Sequence, residues 1–159
     1  ALAVALLVRR GFKEEDFALF HPGGALGKRL LLRVEDLMHA GEAIPLVRPE
    51  VPLKEALFEI TSKKLGITGV ADEQGELVGV FTDGDLRRSI ENGLDALNRP
   101  ICDLMAVNPK RILRSNLAAK AMQKMEQYSI TSLFVFESDE SRVPVGILHL
   151  HDLLKAGVV

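Results

Sequence analysis

Cysteine is almost missing from this sequence. Cys102 stands alone, so no internal disulfide framework and no multi-cysteine metal site can form. A reducing, cytoplasmic setting fits that usage. Charge of one sign is missing too: 20 Lys and Arg against 22 Asp and Glu leave a formal net charge of −2. Such a balance exerts no broad pull toward nucleic acid or an anionic membrane, and no run of Lys and Arg makes a local patch. Nor does any apolar run reach the length that spans a bilayer. The four histidines are His21, His39, His149 and His151. The last two would face opposite sides of a strand continued through them, so no metal site is expected.

The opening Ala1–Val8 is apolar but lacks the Met and basic start of a secretory signal, and it runs into Arg9-Arg10. It reads as a helix cut near its start, and the chain is expected to be part of a longer protein. With 159 residues, 47% of them hydrophobic, there is material for one ordinary domain or two small units packed on each other.

What is there is a repeat. Asp36-Leu37-Met38 returns 67 positions later as Asp103-Leu104-Met105. Gly79-Val80-Phe81 returns as Gly146-Ile147-Leu148, and Asp85-Leu86 as Asp152-Leu153, at the same spacing of 67. Between these anchors Ile67-Thr68 matches Ile130-Thr131 at a spacing of 63, which implies length changes that cancel. Each copy opens with a short helical piece, Val34–His39 or Ile101–Met105, followed by an extended piece, Ile44–Val47 or Arg111–Leu113. A helix follows, its apolar face made by Leu53, Ala56, Leu57 and Ile60 in the first copy and by Leu117, Ala121, Met122 and Met125 in the second. Two strands come next, Gly69–Ala71 with Leu77–Thr82, and Leu133–Glu137 with Val145–His149. A last helix begins near Asp83 and near Leu150. The expected fold is α/β in the broad α+β sense: two β-α-β-β-α repeats packed with pseudo-twofold symmetry around a cleft.

The stretch Gly79-Val80-Phe81-Thr82-Asp83-Gly84-Asp85 carries the chemistry. A strand ends at Thr82 and a helix begins just after it. A helix N-terminus offers unpaired N–H groups and partial positive charge, which suit phosphate. The Thr82 hydroxyl can donate to phosphate, and the Asp85 carboxylate can accept both hydrogens of a ribose diol. Thr or Asp at a helix start is also commonly a simple cap, so both readings stand.

With these residues in view, the repeat and its Gly-x-x-Thr-x-x-Asp motif resemble a tandem pair of CBS domains, a Bateman module. That resemblance implies that Thr82 and Asp85 contact phosphate and ribose of a nucleotide. It also implies cleft positions for Glu50 and Asp103, which can equally be solvated caps. The second copy departs from the pattern: His149 stands where Thr is expected, while Asp152 is kept. A histidine cannot copy a hydroxyl's geometry, so two equivalent sites are not expected.

Outside the repeat, Arg10-Gly11-Phe12, Asp16-Phe17-Ala18 and His21-Pro22-Gly23-Gly24-Ala25-Leu26-Gly27, together with Phe81–Arg88, resemble the D-arabinose 5-phosphate isomerases of the KdsD/KpsF/GutQ type. The resemblance runs through all 159 residues. It implies an organisation with the tail of an SIS (sugar isomerase) domain and a linker at 1–33, a CBS domain at 34–92 and a second at 99–159. It implies a parent enzyme that interconverts D-ribulose 5-phosphate and D-arabinose 5-phosphate, a precursor step for Kdo in lipopolysaccharide or capsule. His21 becomes the catalytic candidate for moving a proton between neighbouring carbons; by position alone it reads as a helix-ending histidine. Its partners would lie in the absent part of the SIS domain, so this piece by itself is expected to be inactive. No cofactor is required within it. The expected ligand is a nucleotide or a nucleotide-sugar such as CMP-Kdo, with AMP or ATP as the alternative. The expected partners are the SIS domain and further copies of the chain, in a dimer or tetramer, and not nucleic acid or membrane. A purely oligomerising role without a ligand is the competing reading.

Overall fold

The computed structural model describes residue 27 and residues 30–158 of the chain; His21 lies outside them. The elements run α1 (Val34–Leu37), β1 (Leu46–Val47), α2 (Leu53–Lys63), β2 (Ile67–Ala71), β3 (Leu77–Thr82), α3 (Asp83–Glu91), then β4 (Arg111–Leu113), α4 (Ala118–Tyr128), β5 (Ser132–Phe136), β6 (Gly146–His149) and α5 (Leu150–Lys155). A single 3₁₀ turn at Ile101–Asp103 opens the second copy. Each copy folds into a three-stranded mixed sheet, in the order β1-β2-β3 and β4-β5-β6. The first pair of each sheet is parallel and the second antiparallel. The β-α-β-β-α order read from the sequence is therefore the order of the structure.

The central strands β2 and β5 are buried at every position, because helices cover one face and the other sheet covers the opposite face. Between the sheets sits a shared core of Ile67, Phe134, Phe136 and Ile147. It is filled unevenly across the pseudo-twofold. The strand registers Leu46↔Gly69 and Arg111↔Phe134 make Gly69 and Phe134 counterparts. A Cβ on Gly69 would lie 2.8 Å from the Phe134 ring, so the missing side chain in one copy makes room for the aromatic ring of the other.

The opening segments are exchanged. Val34, with Leu37 and Met38 beside it, packs into the core of Ile112, Met125, Leu133, Leu148 and Leu153, which belongs to the second copy. Ile101, with Leu104 and Met105, packs into the core of Leu53, Ile60, Val70 and Phe81, which belongs to the first. Each exchanged strap is pinned by a reciprocal pair of backbone bonds. His39 N donates to Ile147 O and Ile147 N to His39 O, while Ala106 N donates to Val80 O and Val80 N to Ala106 O. Each copy is thus contiguous in sequence, but lends its first turn to the other.

This geometry explains the repeat's anchors. A Cβ on Gly79 would collide with Met105 Sδ and sit 2.9 Å from Ala106 O; one on Gly146 would lie 2.6 Å from Met38 Sδ and 2.9 Å from His39 O. Glycine and the Asp-Leu-Met strap recur together because one must be bare for the other to dock.

One alignment made from the sequence is corrected. Ile67 pairs with Thr82, and Ser132 pairs with His149. Since Thr82 and His149 are counterparts, Ile67 corresponds to Ser132 and not to Ile130. The middle of the repeat is offset by 65 positions instead of 63, as the equal helices starting at Leu53 and Ala118 also show. The similarity of Ile67-Thr68 to Ile130-Thr131 is a two-residue slip between an apolar strand and the loop before one.

Candidate functional site

A cleft of about 780 Å³ opens between the two copies, within the range of small-molecule sites. The first copy contributes Ile67, Thr82, Asp83, Gly84, Asp85 and Arg88 to its wall, and the second copy Ser132, Phe134, His149 and His151. The strap after Met105, with Ala106 and Lys110, closes one side. Lys64, Arg88 and Lys110 supply cationic groups at its walls.

At the head of α3, Thr82 and Asp85 form a capping box. Asp85 N donates to Thr82 Oγ1 at 3.2 Å and Thr82 N donates to Asp85 Oδ2 at 2.9 Å. The Thr82 hydroxyl also donates to Asp85 Oδ2 at 3.1 Å, and Arg88 Nη2 reaches Asp85 Oδ1 at 2.6 Å. Asp83 N donates to Gly66 O. With the N–H groups of residues 83 and 85 engaged, that of Gly84 remains as the first-turn donor. Gly84 carries no side chain to hold a ligand off, and the nearest atoms to a Cβ there would be Arg88 and Thr82 at 3.5–3.6 Å. The capping reading of Thr82 and Asp85 is realised, and it holds the helix start in the geometry an anion needs.

The second motif is built differently. His149 N donates to Asp152 Oδ2 at 3.0 Å, and His151 N donates to His149 Nδ1 at 3.1 Å. Because Nδ1 accepts, a neutral His149 carries its proton on Nε2 and offers only a donor. Burial lowers the His149 pKa, aided by the neighbouring His151 and His39 and opposed by Asp152, which favours that neutral form. Asp152 is not part of the cleft lining; His39 Nε2 lies 3.0 Å from each of its carboxylate oxygens. The counterpart of His39 on the second copy's strap is Ala106, which has no group to offer Asp85. Both motif carboxylates are thus paired, Asp85 with Arg88 of its own helix and Asp152 with His39 of the exchanged strap, but only Asp85 lines the cleft.

The CBS-domain family profile matches residues 34–92 and 101–159. The chain belongs to the CBS-domain family. As a tandem CBS pair it is similar to the CBS-domain containing protein ATU1752 of Agrobacterium tumefaciens, with a TM-score of 0.71 and 24% identity over 80% of this chain and 95% of that one. It is also similar to CBSX2, a structure solved in complex with AMP, with a TM-score of 0.69 and 26% identity over 80% of this chain and 96% of that one. Over its full length the CBS chain is 50% identical to the arabinose 5-phosphate isomerase KdsD of Yersinia pestis and 52% identical to that of Pseudomonas aeruginosa. It spans 48% of the length of each.

Of the residues singled out in the sequence, the CBS pair brings Thr82, Asp85 and His149 to one cleft. Asp152 accepts from His149 N and is not part of the cleft lining. Glu50 and Asp103 do not join the cleft wall: Glu50 is exposed beside Arg48 at 3.5 Å, and Asp103 lies 3.7 Å from Arg99. The exchange of straps packs Ile101 into the first copy's core and leaves Asp103 of the same turn exposed, and Glu50 lies exposed in the turn after β1. His149 and His151 do not share a continued strand, the condition on which they would face opposite ways. The strand stops at His149, and the two rings stack with centroids 4.8 Å apart. Among the described residues no group of three His, Cys, Asp or Glu could hold a metal.

Sequence reasoning missed Ser132, Arg88, Lys110 and His39. Ser132 was hidden by the two-residue slip, and counting back from the helix ends, Lys63 and Tyr128, would have exposed it. The His39–Asp152 contact joins residues 113 positions apart and leaves no local trace.

Proposed function

We propose that this CBS pair is the regulatory, ligand-binding portion of a cytoplasmic D-arabinose 5-phosphate isomerase, and that one nucleotide or nucleotide-sugar occupies its cleft. The observation that carries the reading is the head of α3. Thr82, Gly84 N–H and Asp85 stand together at a helix N-terminus, with Arg88 bonded to Asp85 and with Lys64 and Lys110 also lining the cleft. A phosphate arriving there accepts from Gly84 N–H and from the Thr82 hydroxyl, whose proton rotates from Asp85 toward the stronger demand. Asp85 then accepts from a ribose diol. CMP-Kdo fits these groups: it has a ribose, a phosphate and an acidic sugar. AMP and ATP share the first two, and CBSX2 was solved in complex with AMP. The parent activity rests on the match of the whole chain to 48% of the length of the isomerases. His21, in the His-Pro-Gly-Gly stretch, is the proposed catalytic histidine, with its partners in the SIS domain.

Calorimetric titration of the chain with CMP-Kdo, AMP and ATP tests the reading. Saturable heat with at least one, lost in Asp85→Asn, is expected; no heat with any of the three contradicts it. The 159-residue chain alone is expected to show no isomerisation of D-ribulose 5-phosphate, and measurable turnover would contradict that part. The bonds already made by Thr82 and Asp85 favour a second reading, in which both are caps and the pair serves only to assemble a homo-oligomer. On that reading Asp85→Asn changes stability but no ligand response.

A further inference from the structure

The side-chain Oγ of Ser132 is the buried polar side-chain atom without a hydrogen-bond partner among the described residues. The residue is only 8% exposed, yet it lines the cleft. Buried hydroxyls without partners are rare, because burial removes water and returns nothing. Register fixes its neighbour: Ser132 is paired directly with His149, and directly opposed residues of an antiparallel pair project to the same face. The same two positions in the first copy hold Ile67 and Thr82. The polar member has therefore moved to the other strand, and an imidazole donor has been added beside it. The second copy's share of the cleft wall has no carboxylate, whereas the first copy's share holds Asp83 and Asp85.

We propose that Ser132 Oγ and His149 Nε2–H form an oxygen-acceptor subsite for the part of the ligand that lies away from its phosphate. This rests on the nucleotide reading above and extends it to specificity. Both groups can donate, and the surrounding second-copy wall carries no negative charge to repel an oxygen. Two ligand groups share the required chemistry: the carboxylate of an attached acidic sugar and the ring carbonyl of a pyrimidine base.

The test compares the wild-type chain with Ser132→Ala in titrations with CMP-Kdo, CMP and AMP, alongside thermal melts without ligand. The substitution removes a hydroxyl that bonds nothing in the free protein, so the melting temperature is expected to stay level or rise. Affinity for CMP-Kdo is expected to fall roughly 5- to 10-fold, the worth of one hydrogen bond. A fall with CMP-Kdo alone assigns the subsite to the sugar carboxylate; an equal fall with CMP assigns it to the base carbonyl. Unchanged affinity for all three overturns the proposal, as does an effect confined to AMP, whose base has no carbonyl. A lower melting temperature also overturns it, by giving the hydroxyl a structural role. Absence of binding to the wild type removes the nucleotide reading and this subsite together, and is distinguished by appearing before any substitution.

Discussion

Substituting Gly79 by Ala should undock a strap and damage the cleft in one step. The new Cβ would lie 2.8 Å from Met105 Cγ and 2.9 Å from Ala106 O, besides meeting Met105 Sδ. Methionine can swing aside, but Ala106 O is fixed by its bond from Val80 N at 3.0 Å and by the return bond from Ala106 N to Val80 O at 2.8 Å. Overpacking of this kind costs about 1–3 kcal/mol, and each backbone bond lost costs about 1 kcal/mol more. The total is about 2–5 kcal/mol, or a fall in Tm of roughly 5–15 °C for a chain of this size. Urea titration followed by circular dichroism, with thermal melts, measures it. Gly146→Ala makes the equivalent clash with Met38 and His39 O and should lower stability comparably. The two should part in ligand binding, because Ala106 and Lys110 line the cleft while His39 of the other strap pairs with Asp152, which is not part of the cleft lining. Gly79→Ala should therefore weaken nucleotide binding more than Gly146→Ala does. A Tm within about 2 °C of wild type for both variants would refute the docking argument, since overpacking alone exceeds that.

Gly84→Ala meets only ordinary contacts at 3.5–3.6 Å and should be neutral to stabilising by up to about 1 kcal/mol from helix propensity, while hindering phosphate approach; melts and titration separate the two effects. Asp85→Ala removes the N3 half of the capping box and should cost about 1 kcal/mol of stability and abolish measurable nucleotide binding. A double-mutant cycle on His39 and Asp152 should give a coupling of about 0.5–1 kcal/mol, as for a partly exposed pair. The lowered pKa of His149 means that the unfolded chain takes up its proton first. That contribution to stability is complete above pH of about 6.5 and is lost as pH falls through the folded pKa; denaturation midpoints between pH 8 and pH 5 should drop (about one titrating group) in wild type and less in His149→Gln.

The repeat was legible because its most constant words mark a mechanical joint. Gly79 recurs as Gly146 and Met105 as Met38 since bare glycine and docked methionine are two sides of one contact. Helix faces such as Leu53, Ala56 and Ile60 were legible because local periodicity alone encodes them. The exchange of straps was not, since which copy receives Val34 or Ile101 is decided by packing between distant segments. Within the site, Thr82 and Asp85 announced themselves through a local motif, whereas Asp103 and Glu50 were assigned by resemblance and lie off the cleft wall. Ser132 escaped because its meaning depends on strand register, and an error of two residues replaced it with an apolar neighbour.

The most direct test of the central claim is a count of ligand sites. Calorimetric titration of the intact chain to saturation, with whichever of CMP-Kdo, AMP or ATP binds, should give one ligand per chain. Asp85 lines the cleft, whereas Asp152 is paired with His39 and is not part of the cleft lining, which leads to that number. Two equal sites per chain, or a single site that survives Asp85→Asn unchanged, would contradict it.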